Sequence, residues 1–419
     1  MIIPKFIGSL SQLKEPKLME AKFAGCIPPQ LGNVSNLHTL DLTRNYFITL
    51  ENLEWLSHLS SLRYLNVTSL NFSKVVNWPQ SLSKLTSLVE LKLCYCSLPA
   101  FNLRSLSFIN SSTSPQVLDL YGNSLNSSIF YWIANVSSNF VRIALHSNKL
   151  EGPIPDVFTS MLSLVTLDLS SNQLESGIPK GFQNSCSLEL LDLRFNKLSE
   201  NIDSVKTLSC AENTLEMLNL KWNQFCGSLP DFTRFSKLSV LDLSNNQLNG
   251  SVSESVGQLF SLEGLYLSEN SLTGVITKSD FLNLSCLLDL DLSSSRFSIN
   301  LSSDWNPPFQ LDLLDMSSCK VGPAFPKWIL TQTNLTLLSL SNAGLSGSLP
   351  IKLWDLFSGL DDLDLSMNQI HGKLPNLSTS LGTIDLSSNI LSGALPSISS
   401  PTLEYLLLLN NRFSGPLSS

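Results

Sequence analysis

The chain has 419 residues, 43% of them hydrophobic, so it is long enough for two or three ordinary domains and too apolar to be disordered. Charged residues make up only 14%, and 34 acidic against 26 basic residues leave a net charge of −8. An acidic surface repels phosphate backbones and anionic lipid. Nucleic acids and membrane surfaces are therefore not expected as partners.

Neither a targeting signal nor a membrane anchor is recognisable in the sequence. No apolar run approaches the roughly 18–20 residues that span a bilayer, and the start of the chain lacks the long apolar stretch of a signal peptide. We therefore expect residues 1–419 to be a fragment, open at both ends, without caps, a membrane span or a kinase domain.

The pattern LxxLxLxxN recurs along the whole chain with a mean step of about 24 residues, inside the range of leucine-rich repeats. In each repeat two leucines alternate with polar residues, as in a short β-strand, and stacked repeats share one core behind a parallel sheet. We expect about seventeen repeats. Their last positions are Ala21, Asn45, Leu70, Cys96, Asn123, Asn148, Asn172, Asn196, Asn223, Asn246, Asn270, Ser295, Cys319, Ala343, Asn368, Asn389 and Asn411.

The asparagine that closes most repeats is expected to turn inward, where its amide can bond backbone groups that the turn leaves unpaired. Cys96, Cys319 and Ser295 can partly replace it as weak donors. No such side chain is available at Ala21, Leu70 and Ala343. We therefore predict local softness in those three repeats.

A second motif, (Leu or Phe)-x-Gly-x-(Ile, Leu or Val)-Pro, follows the asparagine in most repeats, for example in 150–155, 345–350, 370–375 and 391–396. The two motifs together resemble the plant-specific leucine-rich repeat of receptor kinases, receptor-like proteins and polygalacturonase inhibitors. This resemblance implies an α/β solenoid: a right-handed superhelix with a concave parallel β-sheet, short side strands and 3-10 or helical convex turns.

Repeat length varies along the chain. The spacing stretches to 26 and 27 residues at Cys96 and Asn123 and to 27 at Asn223, then contracts to 21 and 22 at Asn389 and Asn411. The short repeats leave little room for a convex helix. Within the family, degenerate early and short late repeats resemble the receptor-like proteins that perceive microbial molecules.

Catalytic and metal-binding motifs are absent from the sequence: none of the four histidines has metal spacing, and there is no GxSxG elbow or phosphate loop. We expect no enzyme activity and no cofactor. Aspartates recur between the two strand leucines, where we interpret them as a solvated acidic face. The eight cysteines form no CxxC pair. We expect them to be buried and to pack as small apolar side chains: Cys26, Cys94, Cys96, Cys186, Cys210, Cys226, Cys286 and Cys319.

A ligand is expected on the outward positions of the concave sheet. In the column just after LxL, seven consecutive later repeats carry serine, from Ser244 to Ser387, whereas earlier repeats carry aromatic and basic residues typical of binding hot spots. The alternative is that these positions simply drifted from consensus. The predicted ligand-binding residues are Lys92, Tyr95, Tyr121, Arg142, His146, Arg194, Phe195, Lys221 and Trp222.

Eleven Asn-x-Ser/Thr sequons are candidate glycosylation sites. Asn33, Asn283 and Asn376 fall just before the next repeat and away from the concave face, whereas Asn66 points from a strand into it. The full set is Asn33, Asn66, Asn71, Asn110, Asn126, Asn135, Asn249, Asn283, Asn300, Asn334 and Asn376.

The resemblance implies a ligand-recognition ectodomain of a plant cell-surface receptor-like protein, which signals through partner receptor kinases. Its ligand would be an extracellular peptide, protein or oligosaccharide, and the full-length protein would reach the membrane only through a C-terminal span absent from this sequence. Alternatives are the ectodomain of a receptor kinase, a secreted polygalacturonase inhibitor and a truncated gene product.

Overall fold

A computed structural model of the chain describes residues 1–47, 52–100, 115–252, 255–302, 304–353, 359–375, 377–378, 381–395, 397–399 and 401–415. Two compact units are present. The first unit comprises residues 1–200 and 204–215, and the second comprises residues 201–203 and 216–419.

The first unit is built on a main sheet of parallel strands that follow one another in chain order, one from each repeat. Every strand pairs in the same register, so that strand leucines of neighbouring repeats lie opposite each other, as Leu167 does with Ile143 and Leu191. The strands are Thr39–Asp41, Tyr64–Asn66, Glu90–Lys92, Val117–Asp119, Arg142–Ala144, Thr166–Asp168 and Leu190–Asp192. Lys17 adds an isolated parallel bridge to Asp41.

The second unit repeats this plan, with its parallel strands again in chain order. They are Met217–Asn219, Val240–Asp242, Gly264–Tyr266, Asp289–Asp291, Leu313–Asp315, Leu337–Ser339, Asp362–Asp364, Thr383–Asp385 and Tyr405–Leu407. These strands and those of the first unit fall on the predicted LxL positions, which confirms the leucine-rich-repeat solenoid class.

The strand leucines form the core of each unit because the pleat turns them all to one side. Leu167 and Leu169 in the first unit, and Leu241 and Leu243 in the second, are fully buried. Each buried leucine contributes about 1.5–3 kcal/mol relative to an exposed one. Since each strand supplies apolar side chains in one register, most of them leucine, the core is continuous along each main sheet.

The asparagine that closes most repeats turns inward as predicted and links neighbouring repeats. Asn196 donates through Nδ2 to the carbonyl oxygens of Leu169 in the preceding repeat and Leu193 in its own, both at 3.0 Å. Its Oδ1 accepts from the backbone N–H of Leu174 at 3.0 Å. A single buried amide therefore pairs backbone groups in two repeats.

The predicted replacements for asparagine also make hydrogen bonds. The Cys96 thiol donates to the carbonyl oxygen of Val67 at 3.3 Å, the Cys319 thiol to that of Leu292 at 3.2 Å, and the Ser295 hydroxyl to that of Leu267 at 3.4 Å. Each reaches back to the preceding repeat, as asparagine does, but none supplies the acceptor that asparagine also provides.

Side strands and short helices complete the repeats. The side strands are Ala24–Gly25, Tyr46–Phe47, Glu151–Pro153, Gln173–Glu175, Cys226–Ser228, Gln247–Gly250, Ser271–Thr277, Arg296–Asn300, Ser346–Gly347, Gln369–Gly372, Leu377–Ser378, Ile390–Gly393, Ile398–Ser399 and Arg412–Phe413. The α-helices are Trp78–Leu82 and Ser128–Val136. The 3-10 helices are Lys5–Ser9, Pro29–Asn33, Glu54–His58, Asp156–Ser160, Lys180–Asn184, Ile202–Ala211, Val256–Gln258, Lys278–Phe281 and Lys327–Thr331.

Cysteine chemistry departs in part from the prediction of isolated apolar side chains. Cys94, Cys96 and Cys319 are buried thiols as expected, but Cys186 and Cys210 form a disulfide within the first unit. The bridge joins the turn before the strand Leu190–Asp192 to the 3-10 helix of the next repeat. Cys26 and Cys286 are exposed, so the prediction was wrong for these two as well.

We expect the disulfide to stabilise the first unit by about 3 kcal/mol, because it closes a loop of 24 residues in the unfolded chain. The double replacement of Cys186 and Cys210 by alanine should lower the free energy of unfolding by that amount in urea titrations. The matched control is Cys286→Ser, which removes an exposed free thiol. This change should leave the free energy of unfolding within about 0.5 kcal/mol of the unmodified value. Equal effects of the two changes would contradict a stabilising bridge.

Leu70 offers no polar side chain to the turn, whereas Asn123 bonds five backbone groups in its own and the preceding repeat. We therefore predict that backbone amides around Leu70 exchange about tenfold faster than those around Asn123, if the missing bonds are worth about 1.4 kcal/mol. Hydrogen exchange followed by mass spectrometry measures both segments in one experiment. Uniform protection would refute the prediction.

Candidate binding surface

The solvent side of each main sheet, here called the open face, presents four residues from each repeat. They are the residue before the first strand leucine, the residue between the two leucines, and the two residues that follow. The fourth adopts a left-handed backbone conformation in repeat after repeat, as at Tyr95, Phe195 and Trp222, with φ of 52° to 55°. This conformation is unusual for bulky side chains, which marks these aromatic residues as candidates for function.

The aspartates and serines of the open face are less exposed than the sequence suggested. Asp242 is buried and accepts hydrogen bonds from the backbone N–H of Ser244 at 3.1 Å and from its hydroxyl at 2.6 Å. Burial raises the pKa of Asp242, an effect that the two hydrogen bonds oppose. The interpretation as solvated carboxylates is therefore wrong at the buried aspartates Asp119, Asp192 and Asp242.

Three predicted residues of the first unit form an aromatic ladder across successive repeats. The rings of Tyr95 and Tyr121 meet edge to face with centroids 4.9 Å apart, and Tyr121 stacks on His146 at 4.3 Å. The ladder ends at Asp168, whose Oδ2 lies 3.8 Å from His146 Nε2. Tyr95 is 57% exposed at the other end. The sequence predicted the three rings as separate binding residues and did not show that they touch.

Gly122 makes room for the first ring of the ladder. It occupies the left-handed position of its repeat with φ of 68°, and an added Cβ would lie 2.4 Å from the ring of Tyr95. The side chain of Tyr95 therefore packs directly on the glycine backbone. This explains why the repeat after Tyr95 cannot carry an ordinary side chain at this position.

The surroundings of Tyr121 disfavour its ionised form, as the direction of its pKa shift shows. Burial raises the pKa of Tyr121, and the neighbouring Cys94 and Asp119 raise it further. Burial also raises the pKa of the Cys94 thiol to about 12, so this cysteine is not a nucleophile. Asp119 is itself buried, and its Oδ1 has no hydrogen-bond partner among the residues that the structure describes.

The predicted basic residues differ in how they are paired. Lys92 forms an ion pair with Glu90, and Arg194 Nε lies 3.3 Å from Asp192 Oδ2. Arg142 is exposed and forms no ion pair with any described residue. Because a ligand carboxylate would have to displace an existing partner at Lys92 and Arg194, Arg142 is the better placed of the three.

The remaining predicted residues are Phe195, Lys221 and Trp222. Phe195 belongs to the first unit and is 45% exposed, whereas Lys221 and Trp222 belong to the second, where Lys221 is half-buried and Trp222 is 50% exposed. Among the nine predicted residues, the structure places the three rings of the ladder in successive contact.

Sequence reasoning missed one polar contact on the open face of the second unit. Tyr266 stands where most repeats have aspartate, and its hydroxyl donates to Asp289 Oδ2 at 2.5 Å. The absent side chain of Gly264 leaves space for the ring. The signal was present in the sequence as a tyrosine between the strand leucines Leu265 and Leu267.

The asparagines of the sequons differ in whether their side chains are hydrogen-bonded or exposed. Asn66 accepts a hydrogen bond from the Thr68 hydroxyl at 2.8 Å and donates to Asp41 at 3.3 Å, so its amide is held within the main sheet. Asn110 and Asn376 lie outside the described residues. The exposed sequons are Asn33, Asn71, Asn126, Asn135, Asn249, Asn283, Asn300 and Asn334.

Comparisons with known proteins agree with this architecture. Leucine-rich-repeat family models match residues 138–198 and 237–259. Receptor-like protein EIX1 of Solanum lycopersicum is 36% identical over 449 residues, which cover 90% of this chain and 43% of the relative. Receptor-like protein EIX2 of the same plant is also 36% identical, over 94% of this chain and 51% of its own length. The chain thus spans about half the length of these relatives.

Solved structures give the same result. The Arabidopsis receptor kinase HAESA, in complex with the peptide hormone IDA and the co-receptor SERK1, superposes with a TM-score of 0.71 at 28% identity, over 99% of this chain and 72% of that one. The PEPR1–AtPEP1 structure gives a TM-score of 0.76 at 25% identity, over 99% and 61%. Fold and open face together define a leucine-rich-repeat solenoid. Within that class the chain belongs to the repeat region of the plant receptor-like proteins.

In the part of the chain that the structure describes, no helix combines the length and apolar character needed to cross a membrane. The same residues contain no group of three or more histidine, cysteine or acidic side chains arranged to hold a metal ion.

Gly122→Ala should disrupt the ladder by pushing the Tyr95 ring away from Tyr121. We expect a loss of about 2 kcal/mol in unfolding free energy, from left-handed strain and overpacking together. Gly152→Ala is the matched control, because Gly152 also has a positive φ, 76°, but no atom within 4 Å of an added Cβ. Urea titrations and near-ultraviolet circular dichroism distinguish them; identical losses and spectra would show that Tyr95 does not pack on Gly122.

Proposed function

We propose that this chain is the ligand-recognition part of a plant cell-surface receptor-like protein that perceives an extracellular peptide or microbial signal and acts through partner receptor kinases. The observation that carries the proposal is the aromatic ladder of Tyr95, Tyr121 and His146, with the unpaired cation Arg142 on the same open face. Exposed aromatic and arginine side chains supply most of the binding energy at protein interfaces.

The ladder suits recognition because its geometry is fixed before a ligand arrives. Tyr95 is held by the left-handed backbone, by Gly122 beneath it and by Tyr121 beside it. Rings that are already ordered lose little conformational entropy on binding, so more of the contact energy contributes to affinity. A ligand that lies across the strands would meet the three rings in turn, and Arg142 lies in the same repeat as His146. This arrangement suits a ligand that combines apolar and acidic groups.

The comparisons support a peptide ligand and a co-receptor as the class of partners. The HAESA structure contains a peptide hormone together with a co-receptor, and the repeat array of this chain superposes on it. An extracellular location is supported by the Cys186–Cys210 disulfide, since such bonds persist in oxidising compartments. We propose binding rather than catalysis, because burial raises the pKa of the Cys94 thiol to about 12 and the Asp242 carboxylate is hydrogen-bonded to the Ser244 hydroxyl.

The test uses leaf tissue that expresses the full-length receptor and a fungal culture filtrate selected because the unmodified receptor responds to it. Tyr95→Ala and Arg142→Ala should each shift the dose for half-maximal calcium influx at least tenfold, the equivalent of about 1.4 kcal/mol of binding energy. The matched control is Tyr131→Ala, because Tyr131 is 53% exposed on the helix Ser128–Val136, outside the main sheet.

Surface abundance is measured for every variant by immunoblot of biotinylated protein, so that a folding defect is not mistaken for lost recognition. An unchanged dose response in Tyr95→Ala and Arg142→Ala at normal abundance would eliminate the ladder as the recognition site. A shift in Tyr131→Ala of the same size would eliminate the specific role of the open face.

A further inference from the structure

The first three strands of the main sheet in the first unit form a polar pocket on the open face. The pocket has a volume of about 240 Å³. Its strands pair in one register, so each contributes the residue before and the residue between its two inward apolar side chains. The outward side chains that line the pocket are Thr39, Asp41, Tyr64, Asn66, Glu90 and Lys92.

The floor of the pocket is the backbone of these three strands. Neighbouring strands lie about 4.8 Å apart and alternate residues of one strand about 7 Å apart, so the floor measures about 10 by 7 Å. This area accepts one six-membered ring lying flat. The volume is also below the roughly 300–1,000 Å³ of pockets for drug-sized ligands, so the pocket takes one small unit.

The polar side chains of the pocket are held in place before a ligand arrives. Asp41 Oδ1 accepts hydrogen bonds from the backbone N–H and the hydroxyl of Thr43, at 2.9 and 2.7 Å. Asp41 Oδ2 accepts from Asn66 Nδ2 at 3.3 Å. Asn66 Oδ1 accepts from the Thr68 hydroxyl at 2.8 Å, which fixes the orientation of the amide.

The other two charged side chains of the pocket, Glu90 and Lys92, form an ion pair with each other. Both carboxylates of the pocket therefore already have a donor, and the ammonium group already has an acceptor. An ionic ligand would have to displace one of these partners, so its own charge would be offset by the charge that it exposes. A neutral ligand can use the remaining hydrogen-bonding capacity, which includes the second Nδ2 proton of Asn66 and further protons of the Lys92 ammonium group.

Tyr64 adds an aromatic surface to this polar pocket. The residue is 40% exposed, and the guanidinium carbon of Arg63 lies 6.0 Å from the centroid of its ring. A hydroxyl group both donates and accepts hydrogen bonds, as the mixed lining of the pocket requires. The C–H face of a sugar ring is apolar and packs on an aromatic ring, which combines an apolar body with a polar tip in tyrosine. A neutral sugar therefore matches both parts of the lining.

We propose that this pocket binds one neutral sugar unit, with the C–H face of the sugar on Tyr64 and its hydroxyls bonded to Asp41, Asn66 and the Glu90–Lys92 pair. Asn66 belongs to a sequon, and a glycan on this residue would begin inside the pocket and exclude an external sugar. The proposal therefore concerns the chain with an unmodified Asn66. The pocket uses none of the three rings of the ladder, and its test measures binding without a cellular response, so it holds or fails independently of the proposed function.

The test is a calorimetric titration of the purified chain, produced in a host that attaches no N-glycans. The probes are the methyl glycosides of glucose, galactose, mannose and N-acetylglucosamine. We expect at least one of them to bind saturably in the millimolar range, with an affinity unchanged by added salt because the ligand carries no charge. Methyl glucuronide and methyl glucosaminide are negatively and positively charged in mildly acidic buffer. Each should bind at least fivefold more weakly than the best neutral glycoside.

Two variants remove the proposed contacts, and each has a control at the same position of a repeat in the second unit. Tyr64→Ala should raise the dissociation constant at least fivefold. Tyr405→Ala replaces another exposed tyrosine that precedes a strand leucine and should change it less than twofold. Asn66→Asp removes the amide donor at constant side-chain size and should raise the constant at least tenfold. Asn219→Asp makes the same change between two strand leucines and should leave the constant within twofold.

Three results would overturn the proposal. The first is that none of the four neutral glycosides binds saturably at about 20 mM, beyond which an interaction is too weak to be specific. The second is tighter binding of either charged sugar, which would show that the pocket selects charge. The third is an equal effect of each variant and its control, which would place the binding outside the pocket. Circular dichroism of each variant confirms that the fold is retained.

Discussion

The inward asparagine is the interaction on which the rest of each repeat depends. Its amide donates to carbonyl oxygens of two repeats and accepts from the backbone beyond the turn, as at Asn172, where four such bonds converge on one buried side chain. The residue before the asparagine adopts the left-handed conformation. The same conformation occurs at Ser69 and Asn342, which precede Leu70 and Ala343, so it belongs to the turn of the repeat and does not require the asparagine. That residue projects to solvent, and the turn therefore determines which positions of the open face can present a ligand contact.

This coupling explains why the candidate surface of the first unit is aromatic and also ordered. In most repeats the left-handed position carries a small residue, serine, asparagine or glycine, and of these glycine and asparagine adopt it at the least cost. Tyr95 adopts it with a large side chain, and the neighbouring repeat compensates with Gly122. The asparagine bonds and the core hold the backbone of both repeats. These contacts, and not those of the Tyr95 ring alone, therefore offset the strain of its left-handed conformation.

Much of the fold could be predicted because the leucines of the LxL pattern are spaced two residues apart, as are the side chains on one face of a β-strand. The spacing placed the main strands, and the chemistry of the side chain identified Cys96, Cys319 and Ser295 as substitutes for asparagine. The disulfide was missed even though Cys186 and Cys210 are 24 residues apart, which is one repeat. Two cysteines separated by one repeat occupy neighbouring positions in the stack, and that relation was the available signal.

The site was predictable by residue type but not by contact. Alternation along a strand shows which side chains leave the core, yet it does not show that Ser244 folds back onto Asp242 or that Glu90 neutralises Lys92. These are short-range choices among rotamers, and they decide which charges remain for a ligand. For the same reason Tyr121 and His146 read as separate hot spots in sequence, whereas in the structure they stack as one surface.

The two units depart from the regular repeat in different ways. At the aromatic ladder of the first unit the backbone keeps the regular repeat, and only the side chains at the outward positions change. In the second unit the backbone itself departs from the repeat after the side strand Arg296–Asn300, because the next repeat adds only the bridge between Ser298 and Lys320 before the Ser346 N–H pairs with the carbonyl oxygen of Pro323. A regular backbone holds successive outward positions at one spacing, so that side chains of neighbouring repeats can meet as one surface. The ladder therefore forms where the repeat is undisturbed.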